Sequence, residues 1–266
     1  MKKILQNTQN LFSLWKTMSD CAGEYHQFDT ISVAKVANSE YPNRIWLNQY
    51  PNILTNEILK EIQSTSFQSI EPLTFSYFAN DGFQNEDEKL QSFGFVKKSE
   101  QYGMSLALTE KILANNKLQL KKIEIKEQSE IWSDVFSKCF GYHISAESVY
   151  KSKSEIEFYL LYYQENTIGT LVLHQTENIM GVHSLGVLPE FRKLGFAEEI
   201  MCQIINQSIE NQSKIITLQS SPMGRNLYLK LGFEEDFLMM NYALTNILKS
   251  KNHTIKEQHR NPRIKW

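Results

Sequence analysis

The sequence contains no apolar run approaching the roughly 18 to 20 residues that cross a bilayer, so no membrane span is expected. Its longest uncharged apolar stretch is the short segment over residues 158–163. An excess of one charge is missing too, because 28 Lys and Arg stand against 30 Asp and Glu for a formal charge of −2. That balance argues against a whole-protein basic field for nucleic acid or an anionic membrane, so any anionic ligand must be held locally. Cysteine is scarce. Cys21, Cys139 and Cys202 are odd in number, far apart and without a CxxC pair, which points to reduced thiols in a cytoplasm rather than a disulfide framework or a zinc knuckle. The opening Met1-Lys2-Lys3-Ile4-Leu5 has the charge of a secretory n-region, but polar residues 6–10 interrupt where an apolar h-region would stand. Export is not expected.

What is present suffices for a substantial core. Apolar residues are 41% and charged residues 22% of 266, the usual usage of soluble globular chains, and this length suits one large domain or two small ones. Two are expected. From Leu118 the pattern is readable: residues 118–125 alternate apolar and polar as a half-buried strand does, and residues 128–140 carry Ile131, Val135, Phe136 and Phe140 at helical spacing. Ser145 can cap a short second helix. Residues 157–163 and 167–174 predict a hairpin, residues 182–187 a strand, 198–209 a helix, and 214–218 another strand. A helix over residues 224–231, broken at Gly232, and a final strand pair around residues 237–244 complete the series β-α-α-β-β-β-α-β-α-β.

Chemistry concentrates between the strand ending at Val187 and the helix beginning near Phe196. The turn Arg192-Lys193-Leu194-Gly195-Phe196-Ala197 makes physical sense as an anion cradle. The first amides of a helix lack intrahelical partners, and the macrodipole puts about half a positive charge there. Gly195 permits close backbone approach, Ala197 keeps the next turn small, and Arg192 and Lys193 add charge. A pyrophosphate would fit.

The motif Val187-x-Pro189-x-x-Arg192-x-x-Gly195-x-Ala197 resembles the coenzyme A loop of the GCN5-related N-acetyltransferase (GNAT) family. Downstream, Ser220-Ser221-Pro222-Met223-Gly224-Arg225-Asn226-Leu227-Tyr228-Leu229-Lys230-Leu231-Gly232-Phe233 resembles that family's late strand and helix, with a tyrosine four residues before Gly-Phe. The resemblance covers roughly residues 118–247 and implies an α/β (α+β) fold: a mixed, mostly antiparallel sheet flanked by helices and splayed at the cofactor strand pair. It implies acetyl-CoA as co-substrate, no metal, and direct transfer to a primary amine. A strand amide near Leu185 or Val187 would polarise the thioester carbonyl, Leu185, Gly186 and Val187 would hold the cofactor, Ser221 and Asn226 would add polar contacts, and Tyr228 would donate a proton to the leaving thiolate. Ser221 stands where the family often has asparagine. His183, on the strand that flanks the thioester, is either the base that takes the amine proton or a structural histidine; an imidazole near pH 6.5 suits the first task. His174 reads as a surface residue of the preceding hairpin.

The first half has no such loop but carries an echo. Residues 43–48 and 73–78 predict strands, 55–63 a helix, and Glu88-Lys89-Leu90-Gln91-Ser92-Phe93-Gly94-Phe95 parallels residues 226–233, with Leu90 where Tyr228 stands. Residues 102–108 echo 239–244. The expected organisation is a degenerate GNAT-like domain over 1–117, docked against an acetyltransferase domain over 118–248 whose acceptor pocket it could shape. Trp46, Tyr50, Phe75, Tyr77 and Phe78 are expected to be core, and residues 249–266 a basic solvated tail. The function expected is N-acetylation of a small-molecule amine by a monomer or homodimer that binds neither nucleic acid nor membrane. The rivals are an acyl-CoA-binding regulator, against which Tyr228 beside an intact loop argues, and a tandem aminoacyl transferase, against which the intact loop argues.

Overall fold

A computed structural model describes residues 2–50, 53–79, 86–115 and 117–245. The first half runs α1 (Lys2–Ala22), β1 (Glu24–Gln27), β2 (Ile31–Lys35), β3 (Arg44–Leu47), α2 (Asn56–Gln68), β4 (Thr74–Ala79), α3 (Asp87–Ser92) and β5 (Phe95–Ala107). The second runs β6 (Leu118–Lys122), α4 (Lys126–Phe140), α5 (Ala146–Ser152), β7 (Glu157–Tyr163), β8 (Asn166–Thr176), β9 (Ile179–Val187), α6 (Phe196–Glu210), β10 (Ile215–Ser220), α7 (Arg225–Lys230) and β11 (Glu234–Leu244), with a 3-10 turn at Pro189–Phe191. The predicted order of the second half is observed. The predicted Ser145 cap is observed: its Oγ accepts from the Ser148 amide at 3.1 Å at the start of α5. The basic segment 249–266 lies outside the described residues.

The eleven strands among the described residues form one sheet in the order β1-β2-β3-β4-β11-β5-β10-β9-β8-β7-β6. The two halves are related about the centre of this sheet. In each, two parallel strands bracket a helix: β3 and β4 around α2, β9 and β10 around α6. Each half then ends in a short helix, a positive-φ glycine (Gly94 and Gly232) and a long strand. Those last strands are exchanged. β5 pairs with β10 of the second half and β11 with β4 of the first, and β5 and β11 pair with each other at the centre. This corrects the expected final strand pair around residues 237–244, because β11 is a single strand whose partners both come from the first half.

Side-chain alternation sorts the core into two layers. Along β7 and β8, Leu161, Leu171 and Leu173 pack against Ile200, Met201, Ile204 and Ile205 of α6, while Phe158, Leu160 and Val172 face α4, α5 and α1. In the first half Ile45, Phe75 and Tyr77 face Leu59 and Ile62 of α2, and Trp46 and Phe78 face Leu11 and Trp15 of α1. Trp46, Phe75, Tyr77 and Phe78 are therefore core, as expected, while Tyr50 is only partly buried at the edge. Helix α1, unforeseen from the sequence, crosses both halves on the face opposite α2 and α6.

Strands β3 and β4 pair only at Arg44–Thr74 and Ile45–Phe75 before parting. Over that face of the first half Phe12, Trp46, Phe78 and Trp15 pack ring to ring, with Phe12 5.3 Å from Trp46 and 5.2 Å from Phe78. Where the second half leaves space between its parallel strands, the first half has aromatic side chains.

Candidate active site

β9 and β10 pair from Ile179–Ile215 to Gly181–Thr217 and not beyond, although β9 continues to Val187 and β10 to Ser220. A β-bulge sits on β9 just past this point: Thr170 pairs with Gly186 and Val172 with His183, so Ser184 and Leu185 face a single residue of β8. Ser184 takes φ +50 and its carbonyl accepts from Thr170 Oγ1 at 3.1 Å. Such a bulge takes a residue out of the ladder and re-aims the strand. It lies on the wall of a cavity of about 580 Å³ that opens along the splay. Leu185, Gly186, Val187, Arg192, Ala197, Ser221, Tyr228 and His183 all line it, so most of the predicted site converges.

The loop after β9 is built as an anion cradle should be. Gly195 is the residue before α6, with φ +81, and a Cβ placed there would meet nothing within 4 Å. Glycine supplies the left-handed conformation and leaves the helix N-terminus open. The carboxylates of the first turn are tied away from it: Glu198 binds Lys230 Nζ at 2.6 Å, and Glu199 accepts from the Leu118 amide at 3.1 Å. Arg192 has an additional task. Its Nε donates to the Val187 carbonyl at 2.9 Å and its Nη2 to the Cys139 carbonyl at 3.1 Å, pinning the loop to the end of α4. Gly186 permits that approach, since a Cβ there would lie 2.5 Å from the Phe140 ring and 2.8 Å from Cys139 Cβ. Lys193 (φ +64) and Leu194 are exposed on the outside of the turn, and Phe196 is buried with its ring 4.7 Å from Tyr163.

Across the splay, Ser221 Oγ accepts from the Gly224 amide at 3.3 Å and so shapes the entry to α7. Asn226 is exposed on α7 and does not line the cavity. Tyr228 lines it, with its ring packed edge-on against Phe233 at 5.6 Å and no hydrogen bond to its hydroxyl among the described residues. Burial raises the Tyr228 phenol to about 12, so it is protonated throughout the physiological range.

Both strand histidines are buried, which for His174 differs from expectation. His174 is buried under α1, with Nε2 3.0 Å from Ser13 Oγ, and desolvation lowers it to about 4. The sequence placed it on the surface because helix α1 was not foreseen. His183 is also buried, and its Nε2 lies 3.1 Å from Asn10 Oδ1. Desolvation, followed by the nearby His174, lowers it to about 3. A base works best with a pKa near the operating pH, so this geometry points to the structural histidine of the two readings.

Sequence reasoning missed the far wall. It comes from the first half and from α1: Leu11, Trp15, Tyr41, Arg44, Gln101, and with them Tyr142 after α4. No motif marks these residues; only the pairing of strands across the halves brings them to the cavity.

A splayed parallel strand pair, a strand bulge and a glycine-opened helix N-terminus thus meet at one cavity. Residues 122–239 match the acetyltransferase (GNAT) domain family. A GCN5-related N-acetyltransferase from Kribbella flavida superposes with a TM-score of 0.65 at 12% identity, covering 91% of this chain and 96% of that one. Another from Sphaerobacter thermophilus gives 0.58 at 10% identity over 80% and 76%. A tandem GNAT protein from the clavulanic acid biosynthesis pathway gives 0.52 at 9% identity over 80% and 77%. These likenesses extend the GNAT fold to the first half as well. No curated protein matches the chain in sequence. Among the described residues no helix is long and apolar enough to cross a membrane, and no cluster of His, Cys, Asp or Glu could hold a metal ion.

Proposed function

We propose that this protein transfers the acetyl group of acetyl-CoA to the primary amine of a small-molecule acceptor, by direct attack in a ternary complex. The observation that carries the reading is the continuity of one cavity, about 580 Å³, from Arg192 and Ala197 at the cofactor loop to Trp15 and Arg44 on the opposite wall. On this reading residues 118–248 hold the cofactor and residues 1–117 supply the acceptor wall.

The pyrophosphate lies on the amides that open α6, and the pantetheine arm runs along the β9 splay. The amine attacks the thioester carbon, and the amide freed at the Leu185 bulge stabilises the oxygen as it gains charge. The carbon–sulfur bond then breaks. With its phenol at about 12, Tyr228 is a far weaker acid than a thiol near ~8.5 and does not surrender its proton for good. It donates a hydrogen bond to the departing sulfur, and the proton lost by the amine replaces the acyl group on the thiolate through water in the open cavity. Held neutral, His183 packs rather than titrates.

The test combines binding and turnover. Calorimetry should give one acetyl-CoA per chain, and Gly195→Val should abolish binding in a folded protein, because the space beside Gly195 is where phosphate approaches. Thiol release with a panel of amines should follow sequential kinetics. Two binding sites, or a covalent acetyl-enzyme formed without acceptor, would overturn the proposal.

A further inference from the structure

We infer that the acceptor amine also carries a carboxylate, which Arg44 on the first-half wall of the cavity binds together with Tyr41 and Tyr142. This rests on the acetyltransferase reading and extends it to the substrate.

Arg44 is the first residue of β3, where alternation turns Ile45 toward α2 and leaves Arg44, like Trp46, on the α1 face that borders the cavity. Its Nε is buried without a hydrogen-bond partner, and among the described residues no carboxylate pairs with it. The guanidinium lies instead near two π-systems, 5.9 Å from the Trp15 ring and 5.7 Å from Tyr41. Burying a cation without a counter-charge is costly, and aromatic faces return only part of that cost. Desolvation accordingly pulls its pKa below the usual guanidinium value, while the phenols of Tyr142 and Tyr41 pull the other way. The contrast with Arg192 is instructive, because that guanidinium spends its donors on two backbone carbonyls. Arg44 spends none.

The neighbouring donors fit an anion. Trp15 Nε1–H donates to the Tyr41 hydroxyl at 2.9 Å, so the hydroxyl's own proton remains to be donated. Tyr142 also lines the cavity, and both phenols sense the charge of Arg44. Glu100, the acid lining the same cavity, is already paired with Lys97 at 2.9 Å. A planar fork flanked by two phenols suits a carboxylate, which takes two parallel N–H bonds.

The experiment uses the full chain with acetyl-CoA and a series of amino acids, each beside its carboxamide, scored by thiol release. Acids should be preferred by roughly tenfold or more, and Arg44→Met should cut kcat/KM for acids by about 10- to 100-fold through KM, with a much smaller effect on the carboxamides and on acetyl-CoA affinity. Arg44→Lys should recover part of the loss. A purely structural arginine would depress acids and carboxamides alike. Thermal shift with the N-acetyl derivatives reads the subsite without turnover: wild type should be stabilised by N-acetyl acids and not by N-acetyl carboxamides, and Arg44→Met by neither. Turnover without preference for acids overturns the carboxylate subsite and keeps the transferase. Stabilisation by N-acetyl acids with no turnover of any amine keeps the subsite and overturns the transferase.

Discussion

Asn10 on α1 and His183 on β9, 173 residues apart in the chain, meet through a 3.1 Å hydrogen bond beneath the cavity floor. The amide's Nδ2 donates to the His174 carbonyl at 2.9 Å and to Thr176 Oγ1 at 2.8 Å, so Oδ1 is the acceptor and His183 carries its proton on Nε2. One side chain thus joins α1 to β8 and β9. Gly181 makes room for it, since a Cβ there would fall 1.9 Å from Asn10 Oδ1. Asn10→Leu strips partners from a buried imidazole N–H and a buried carbonyl, and should destabilise the fold by about 1 to 3 kcal/mol. Chemical denaturation that finds no change would refute this anchoring role.

The two buried histidines set a pH dependence with a definite sign. Both have folded values below that of an unfolded histidine, about 3 for His183 and about 4 for His174 against ~6.5. The unfolded chain therefore binds more protons in acid, and the stability these neutral rings contribute is complete above ~6.5 and lost as pH falls toward their folded values. Each ring should subtract about 1.4 kcal/mol per pH unit in that window. Unfolding free energies of wild type and of His174→Gln/His183→Gln between pH 7.5 and 5 should converge in acid. Parallel curves would contradict the burial described for the rings.

Tyr228→Phe removes a hydroxyl needed only as charge develops on sulfur, and an interaction confined to the transition state costs kcat without costing binding. A thiol leaves tolerably well unaided, so the loss should stay at or below ~10²-fold. Single-turnover transfer, with acetyl-CoA affinity measured on the same variant, checks it. An unchanged rate reduces Tyr228 to packing; a large rise in Kd makes it a binding residue.

Exchange of β5 and β11 makes the halves mutually dependent. Residues 118–266 produced alone would lack the strand that stands between β10 and β11, and should yield no soluble protein that binds acetyl-CoA. Co-expression with residues 1–117 should restore a one-to-one complex that does. A folded, active fragment 118–266 would show that β10 and β11 can close on each other directly.

The second half was legible because its signals are local. The strand alternation of residues 157–163, the Ser145 cap and the Gly195 turn each declare themselves within a few residues, and the cavity does form at the predicted loop. Helix α1 was hidden for a physical reason. Its buried face includes Asn7, Thr8, Asn10 and Ser19 beside Leu11, Leu14, Trp15 and Met18, so polar residues stand where helical periodicity looks for apolar ones. Those amides are satisfied by distant groups: Asn7 Nδ2 donates to the Met104 carbonyl at 3.0 Å, and Asn7 Oδ1 accepts from Gln219 at 2.7 Å. Neither burial nor satisfaction is visible without the partner strands. The same holds for Arg44, an ordinary polar start to a strand until the cavity closes around it.

The sheet's centre also orders events in time. β4 takes β11 as its neighbour, so the first half to leave a ribosome cannot complete its sheet until Leu244 has been made. Until then β4 presents an unpaired edge and the rings of Phe78 and Trp46 lack Phe237, which reaches them only with β11. Assembly of this sheet consequently waits for β11 rather than proceeding half by half from the N-terminus.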